Sequence, residues 1–339
     1  MSESNEGTVR IGLNGFGRIG RNIFRASLDD PRIEVVGIND VMDDDDMEYL
    51  AKYDTVMGRL EGVTLDEGVL TVAGTDFGAS IHEETDPAEL PWDDLDVDVA
   101  FECTGIFRNY DDASKHLDAG ADKVVISAPP KGDKPVKQIV YGVNHDEYEG
   151  EDVVSNASCT TNSITPVAKV LDREFGIEAG QLTTVHAYTG SQNLVDGPKA
   201  KTRRGRSAAE NIVPTSTGAA QAATEVLPQL EGKLDGMAIR VPVPNGSITE
   251  FVVDLDADVT EGDVNSAFRE AAQGELEGVL GVTDDEVVST DIQGTPYSSY
   301  VDLQSTNVVN GMTKILTWYD NEFGFSNRML DVAEFVTEY

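Results

Sequence analysis

Apolar positions in the first half of the chain fall in short runs separated by amphipathic stretches. Residues 9–13 alternate apolar and polar as a strand does, and residues 19–28 follow with helical periodicity. Further strands are predicted over 33–38, 97–101 and 123–127, with a helix over 112–119. Strand–helix–strand repetition predicts a parallel, doubly wound sheet. Residues 58–82 read as hairpins inserted in that scheme, and the acidic run Asp43 to Asp46 as a solvated loop.

The second half has a different rhythm. A helix is predicted over 164–175, and long strands over 181–188, 237–243, 248–255, 298–303 and 313–319. Only two helices intervene, over 218–227 and 264–273. Long strands with sparse helices predict a mainly antiparallel sheet covered on one face. Residues 322–339 read as a final amphipathic helix. The expected fold class is α/β, with a doubly wound domain over 1–158 and an α+β domain with a mainly antiparallel sheet over 159–321.

Composition sharpens this picture. A chain of 339 residues is long for a single core, and its 40% hydrophobic content is enough for two ordinary ones. Asp and Glu total 62 against 25 Lys and Arg, a net charge of -37. Such a surface repels nucleic acid and anionic membrane. The apolar content and regular periodicity argue for a folded protein adapted to high salt, where the Debye length shrinks to ~3 Å and screens the self-repulsion. Two cysteines give no disulfide framework, the N-terminus is polar, and no run approaches the ~20 apolar residues of a spanning helix. A soluble, cytoplasmic protein is expected. One basic island, Lys199, Lys201, Arg203, Arg204 and Arg206, breaks the acidic rule and suits an anion, phosphate above all.

Three features carry chemistry. Gly15-Phe-Gly17-Arg-Ile-Gly20 lies between a predicted strand and a predicted helix, the context in which such glycines admit a dinucleotide pyrophosphate to a helix N-terminus. Asp40, at the end of the second strand, stands where a carboxylate accepts from the adenosine ribose and repels a 2′-phosphate, which favours NAD over NADP. Cys159 lies in Ser155-Asn-Ala-Ser-Cys-Thr-Thr-Asn162, just before a predicted helix. A lone cysteine is usually a small buried hydrophobe. Its polar neighbours argue for a nucleophile, and the helix dipole predicts a lowered thiol pKa. His186, at a strand end, can serve as the base that a thiol nucleophile needs; His82, His116 and His145 have no expected role. A nucleophilic thiol beside a nicotinamide cofactor suggests aldehyde oxidation through a hemithioacetal and a thioester, released by phosphate or water.

These residues resemble the glyceraldehyde-3-phosphate dehydrogenase family, of the bacterial and eukaryotic kind, over essentially the full length. The likeness rests on Asn14 to Arg21, Ser155 to Asn162, His186-Ala-Tyr-Thr189, Pro214 to Ala220, Arg240-Val-Pro-Val-Pro-Asn245 and Trp318-Tyr-Asp-Asn-Glu322. The resemblance implies a Rossmann NAD domain joined by the C-terminal helix, a catalytic domain and a homotetramer acting on glyceraldehyde 3-phosphate and inorganic phosphate, with no metal. It implies Cys159 as nucleophile and His186 as base. Thr189 and Arg240 would hold the substrate phosphate, and Ser158, Thr160, Thr217, Gly218 and Arg204 the attacking phosphate. Arg18 and Ile19 would lie along the pyrophosphate, Asp40 at the ribose, and Ser127 and Asn321 beside the nicotinamide, Asn321 bonding its carboxamide. Residues 188–206 would reach a neighbouring subunit's cofactor site. Three residues depart from the family pattern: Thr85 for an arginine near the cofactor phosphates, Phe325 for a tyrosine, and Gly197 for a bulkier residue, which relaxes exclusion of NADP. Cys103 would be structural. A sister activity on erythrose 4-phosphate, an NADP-using gluconeogenic form, hydrolytic aldehyde oxidation and a non-enzymatic ligand sensor are the alternatives.

Overall fold

The computed structural model describes residues 7–339. They form two compact units. One comprises the residues up to Ile139 with His145–Ala157 and Ser326–Tyr339; the other comprises Val140–Asn144 and Ser158–Phe325.

The first unit is built on a nine-stranded sheet in the order Lys137–Gln138, Val153–Ser155, Lys123–Ile126, Val99–Glu102, Val9–Asn14, Ile33–Asn39, Gly78–His82, Val69–Val72, Val63–Asp66. The first seven strands run parallel and the last two return as antiparallel hairpins. A parallel sheet is covered on both faces, so its central strands are buried in near-continuous runs rather than at alternate positions. Val99–Glu102 is buried at all four positions. Trp92 packs with Val36, Val97 and Ala100, while Val124, Ile126 and Val153 form a second cluster with Ala113. The helix Arg18–Ser27 follows the first strand. The chain leaves that strand to one side for Ile33–Asn39 and later returns to pair Val99–Glu102 on its other side. That reversal opens a crevice at the carboxyl ends of the central strands, the usual ligand position in such sheets. The end of the C-terminal helix Phe323–Glu338 is tied to this unit: Arg32 pairs with Asp331 at 3.0 Å and with Glu334 at 2.5 Å.

The second unit carries a seven-stranded sheet in the order Val213–Ser216, Leu234–Val241, Ile177–Ala187, Ser247–Leu255, Met312–Tyr319, Ser299–Val309, Leu280–Thr283. Ser247–Leu255 alternates buried with less buried positions, as a strand with one covered face does. The sheet is mainly antiparallel, with two parallel pairings that alternation alone does not reveal: Ile177–Ala187 with Leu234–Val241, and Leu280–Thr283 with Ser299–Val309.

Three local expectations are corrected. Asp43 to Asp46 is not a loop. Asp43 caps the helix Asp44–Lys52, accepting from the Asp46 N–H at 2.9 Å, and the acidic first turn complements the helix dipole. The predicted helix over 112–119 is two short pieces, Tyr110–Ala113 and Lys115–Asp118, broken at Ser114. The helix expected to begin at Ile164 begins at Cys159.

Candidate active site

Cys159 is the first residue of the helix Cys159–Phe175. Ser158 caps it, its hydroxyl accepting from the Thr161 N–H at 3.1 Å. His186 lies near the end of the strand Ile177–Ala187, and its Nε2 stands 3.5 Å from Cys159 Sγ. The His186 Nδ1 meets the Ala187 carbonyl oxygen at 2.7 Å. A carbonyl only accepts, so Nδ1 carries the proton and the Nε2 lone pair faces the thiol. Arg240 Nη1, 2.9 Å from the same Nδ1, donates to the Ala187 oxygen at 2.8 Å and can share that acceptor.

The expected lowering of the thiol pKa is overturned. Burial pushes the Cys159 thiol up, against the Arg240 charge and hydrogen bonds at the helix start, which pull it down. Burial, aided by Arg240, pushes His186 down to about 3. The resting pair is therefore a thiol beside a neutral imidazole. Such a pair can pass the Sγ proton to Nε2, and Arg240 favours the sulfur carrying the negative charge that this would leave.

Around this pair the structure gathers guanidinium and hydroxyl groups, a chemistry that suits an anion. Arg240 reaches the Thr189 hydroxyl at 3.5 Å, Thr189 meets Ser191 at 2.8 Å, and Arg204 extends from Thr215 at 3.0 Å to Ser191 at 3.4 Å. Cys159, His186, Arg240, Thr189 and Arg204 thus form one connected set. Ser158, Thr217 and Gly218 bond within their own turns instead, whereas Thr160 reaches across to another element. The Thr160 hydroxyl bonds the Tyr319 hydroxyl at 3.0 Å, and Thr217 accepts from the Ala219 N–H at 3.1 Å, next to the N-cap Gly218.

In the first unit, Asn14, Gly15, Gly17, Asn39, Asp40, Thr85, Cys103 and Thr104 are among the residues lining a cleft of about 350 Å³. Its shape depends on glycine. Gly15 has φ +99°, and a Cβ there would lie 2.6 Å from the Thr104 nitrogen; one on Gly20 would lie 2.1 Å from the Gly15 oxygen. A Cβ on Gly17 would meet nothing within 4 Å, so open space lies over the N-terminus of the helix Arg18–Ser27, which has no side-chain cap. Asp40 accepts from the Phe16 N–H at 2.6 Å and the Met42 N–H at 3.1 Å. The Arg18 guanidinium is paired with Asp54, which turns that side chain to the protein, and a helix N-terminus suits an anion through its backbone. Ser127 donates to the Glu102 carbonyl at 3.0 Å. In the second unit, Asn321 is buried and its Oδ1 accepts from the Ser247 hydroxyl at 2.8 Å.

A family model described as glyceraldehyde 3-phosphate dehydrogenase, NAD binding domain, matches residues 9–110, and its C-terminal domain counterpart matches residues 158–321. The chain belongs to the glyceraldehyde 3-phosphate dehydrogenase family. It is 81% identical to the glyceraldehyde-3-phosphate dehydrogenase of Haloarcula vallismortis, over 97% of this chain and 98% of that one. Those of Streptomyces coelicolor and Geobacillus stearothermophilus are 52% and 49% identical, over the same shares. The NAD of this dehydrogenase family fits the cleft, because the space over Gly17 leaves room for a pyrophosphate and Asp40 presents a carboxylate on the cleft wall.

Several residues of this family member escaped the sequence reading. His116, given no role, is fully buried in a network beneath the cleft. The Trp92 indole only donates, and it does so to His116 Nδ1 at 3.0 Å; His116 Nε2 therefore carries its proton toward Glu102, 3.3 Å away. Glu102 also accepts from Asn14 at 2.7 Å and from the Thr104 N–H at 2.8 Å. Tyr319, fully buried and bonded to Thr160 and Thr184, sets its ring against His186 with centroids 5.8 Å apart. The signal for the network was a glutamate ending an apolar strand, a buried charge that demands partners. Of the departures, Thr85 lines the cleft, Phe325 is buried, and a Cβ on Gly197 would lie 2.8 Å from the Asn193 amide nitrogen. Burial pushes the Cys103 thiol up, although the residue also lines the cleft.

Proposed function

We propose that this chain catalyses the phosphorylating oxidation of D-glyceraldehyde 3-phosphate to 1,3-bisphosphoglycerate with NAD, with Cys159 as nucleophile and His186 as base. The observation that carries the proposal is the 3.5 Å Sγ–Nε2 pair, joined through the shared Ala187 oxygen to Arg240 and on to Thr189. As Sγ attacks the aldehyde carbon, Nε2 takes the thiol proton and returns it to the new alkoxide, giving a hemithioacetal. Bound NAD supplies the acceptor for the hydride that this carbon loses. Nε2 takes the hydroxyl proton at that moment and releases it to solvent, and a thioester remains on Sγ. A phosphate oxygen then attacks the thioester carbonyl, the C–S bond breaks, and the acyl phosphate leaves a thiolate to be reprotonated.

Thr189 and Arg240 hold the substrate phosphate. Arg204, Ser158, Thr160, Thr217 and Gly218 receive the attacking phosphate. The backbone at Gly15, Gly17, Arg18, Ile19 and Gly20 takes the cofactor pyrophosphate, Asp40 its ribose, and Ser127 and Asn321 its nicotinamide end. Asp40 favours NAD, with some NADP use admitted by Gly197. The cofactor domain spans 1–158 with 322–339, and the catalytic domain 159–321; the two compact units and the bounds of the family match support that division. The exposed apolar side chains Leu194, Val195, Ile212 and Met237 support assembly into a homotetramer. The charge of -37 supports a cytoplasm of high salt.

Steady-state kinetics in molar KCl test this reading, comparing glyceraldehyde 3-phosphate with erythrose 4-phosphate, NAD with NADP, and reactions with and without phosphate. Phosphate-dependent NADH formation with the three-carbon aldehyde is expected. NADH formation indifferent to phosphate would make the enzyme hydrolytic and overturn it.

A further inference from the structure

Ser247, one residue from the glycine turn at Gly246 and fully enclosed, has a single hydroxyl proton and two assigned partners. The Ala187 N–H donates to Ser247 Oγ at 3.1 Å, and Asn321 Oδ1 lies 2.8 Å from the same oxygen. Because a backbone N–H only donates, Oγ is the acceptor in the first contact. Because an amide oxygen only accepts, the Ser247 proton must go to Asn321. The hydroxyl could accept a second time, but an amide turned to present Nδ2 would leave the enclosed Ser247 proton without the acceptor it now has, so Oδ1 is engaged and the Nδ2 group points away as a donor. An asparagine without such a constraint presents either end of its amide at similar cost. The Ala187 carbonyl also accepts from His186 Nδ1 at 2.7 Å, so the serine bonds the residue that orients the base.

We propose that Ser247 is a positioning residue for cofactor selection: it locks Asn321 as a hydrogen-bond donor, so that the protein reads the carbonyl oxygen of the nicotinamide carboxamide and not its NH₂ group. The inference rests on the reading of Asn321 as the carboxamide partner. A cofactor that keeps the carbonyl but lacks the NH₂ group, 3-acetylpyridine adenine dinucleotide, satisfies the locked amide. Ser247→Ala frees the amide to turn, and Oδ1 can then accept from an NH₂ group that NAD has and the acetyl analogue lacks. The variant thereby acquires a preference for NAD.

Equilibrium titration calorimetry on the full-length protein in molar KCl tests this, with NAD, the acetyl analogue and ADP-ribose, which lacks the nicotinamide. In Ser247→Ala the ratio of the analogue's Kd to that of NAD rises about three- to tenfold over wild type, the scale of one hydrogen bond. ADP-ribose affinity stays unchanged. An unchanged ratio, or equal weakening of all three ligands, would overturn the proposal, because general damage to the fold does not discriminate an acetyl group from a carboxamide. Asn321→Ala separates this from the reading beneath it. Loss of NAD affinity there with an unchanged ratio in Ser247→Ala refutes the role of Ser247 alone; unchanged NAD affinity in Asn321→Ala refutes the reading of Asn321.

Discussion

Replacing Glu102 by Gln exchanges one oxygen for an NH₂ group in a site where every neighbour donates. Oε1 accepts from the Thr104 N–H and hydroxyl, and Oε2 from Asn14 Nδ2 and His116 Nε2. The glutamine NH₂ cannot sit on the Oε2 side without disrupting a chain: Asn14 Oδ1 accepts from Asn39 at 2.7 Å, and Asn39 Oδ1 accepts from the Glu84 N–H at 2.8 Å. It must turn to Thr104, whose hydroxyl can rotate to accept but whose N–H cannot. One charge-assisted bond is lost and one N–H is stranded, a loss of about 1.5–3 kcal/mol. Urea unfolding followed by Trp92 fluorescence, in a Trp318→Phe background at molar KCl, reads this in the cofactor unit. Thr104, Asn14 and Asn39 all line the cleft, so NAD affinity falls with stability. A variant within about 0.5 kcal/mol of its parent, less than one typical hydrogen bond, and unchanged in NAD affinity would refute the claim that this carboxylate ties the cleft loops together.

Other substitutions separate the roles at the thiol. Cys159→Ser abolishes dehydrogenase activity while calorimetry still detects NAD binding, and His186→Asn lowers kcat at least ~100-fold, the low end for loss of a general base. Arg240 favours the thiolate, so Arg240→Gln pushes the Cys159 thiol further up. Alkylation by neutral iodoacetamide is then slower at a given pH, and its pH profile moves to higher pH; a profile unmoved would remove Arg240 from thiol activation. Lowering KCl from molar to ~0.1 M lengthens the Debye length from ~3 to ~10 Å. The melting temperature falls accordingly, and one flat across that range would contradict salt adaptation.

Local signals made much of this molecule legible. The Gly15–Gly20 turn lay between a readable strand and helix, and the strand-end positions of Asp40 and His186 followed from the same periodicity. What was illegible depended on tertiary burial. Thr160, Thr161 and Ser163 are weak helix formers, and the helix was read as starting after them; burial of Thr160 to Ser163, with Ser158 as cap, extends it to Cys159. Asp43 to Asp46 looked solvated by composition alone, although an aspartate at an N-cap and acids in a first turn are also a helix signal. The thiol was expected to titrate low from the helix dipole, because a sequence does not reveal how deeply Sγ is enclosed; burial reverses the direction. The bonds of Ser247 and Glu102 join residues 74 and 88 positions away, beyond any spacing rule.

The central claim is that Cys159 carries the acyl group as a thioester until phosphate removes it. Rapid mixing of the enzyme, NAD and glyceraldehyde 3-phosphate without phosphate, followed by NADH absorbance, tests it most directly. The account predicts a burst equal to the number of Cys159 thiols, then a stall that added phosphate relieves. Steady NADH formation without phosphate, or a burst that persists in Cys159→Ser, would contradict it.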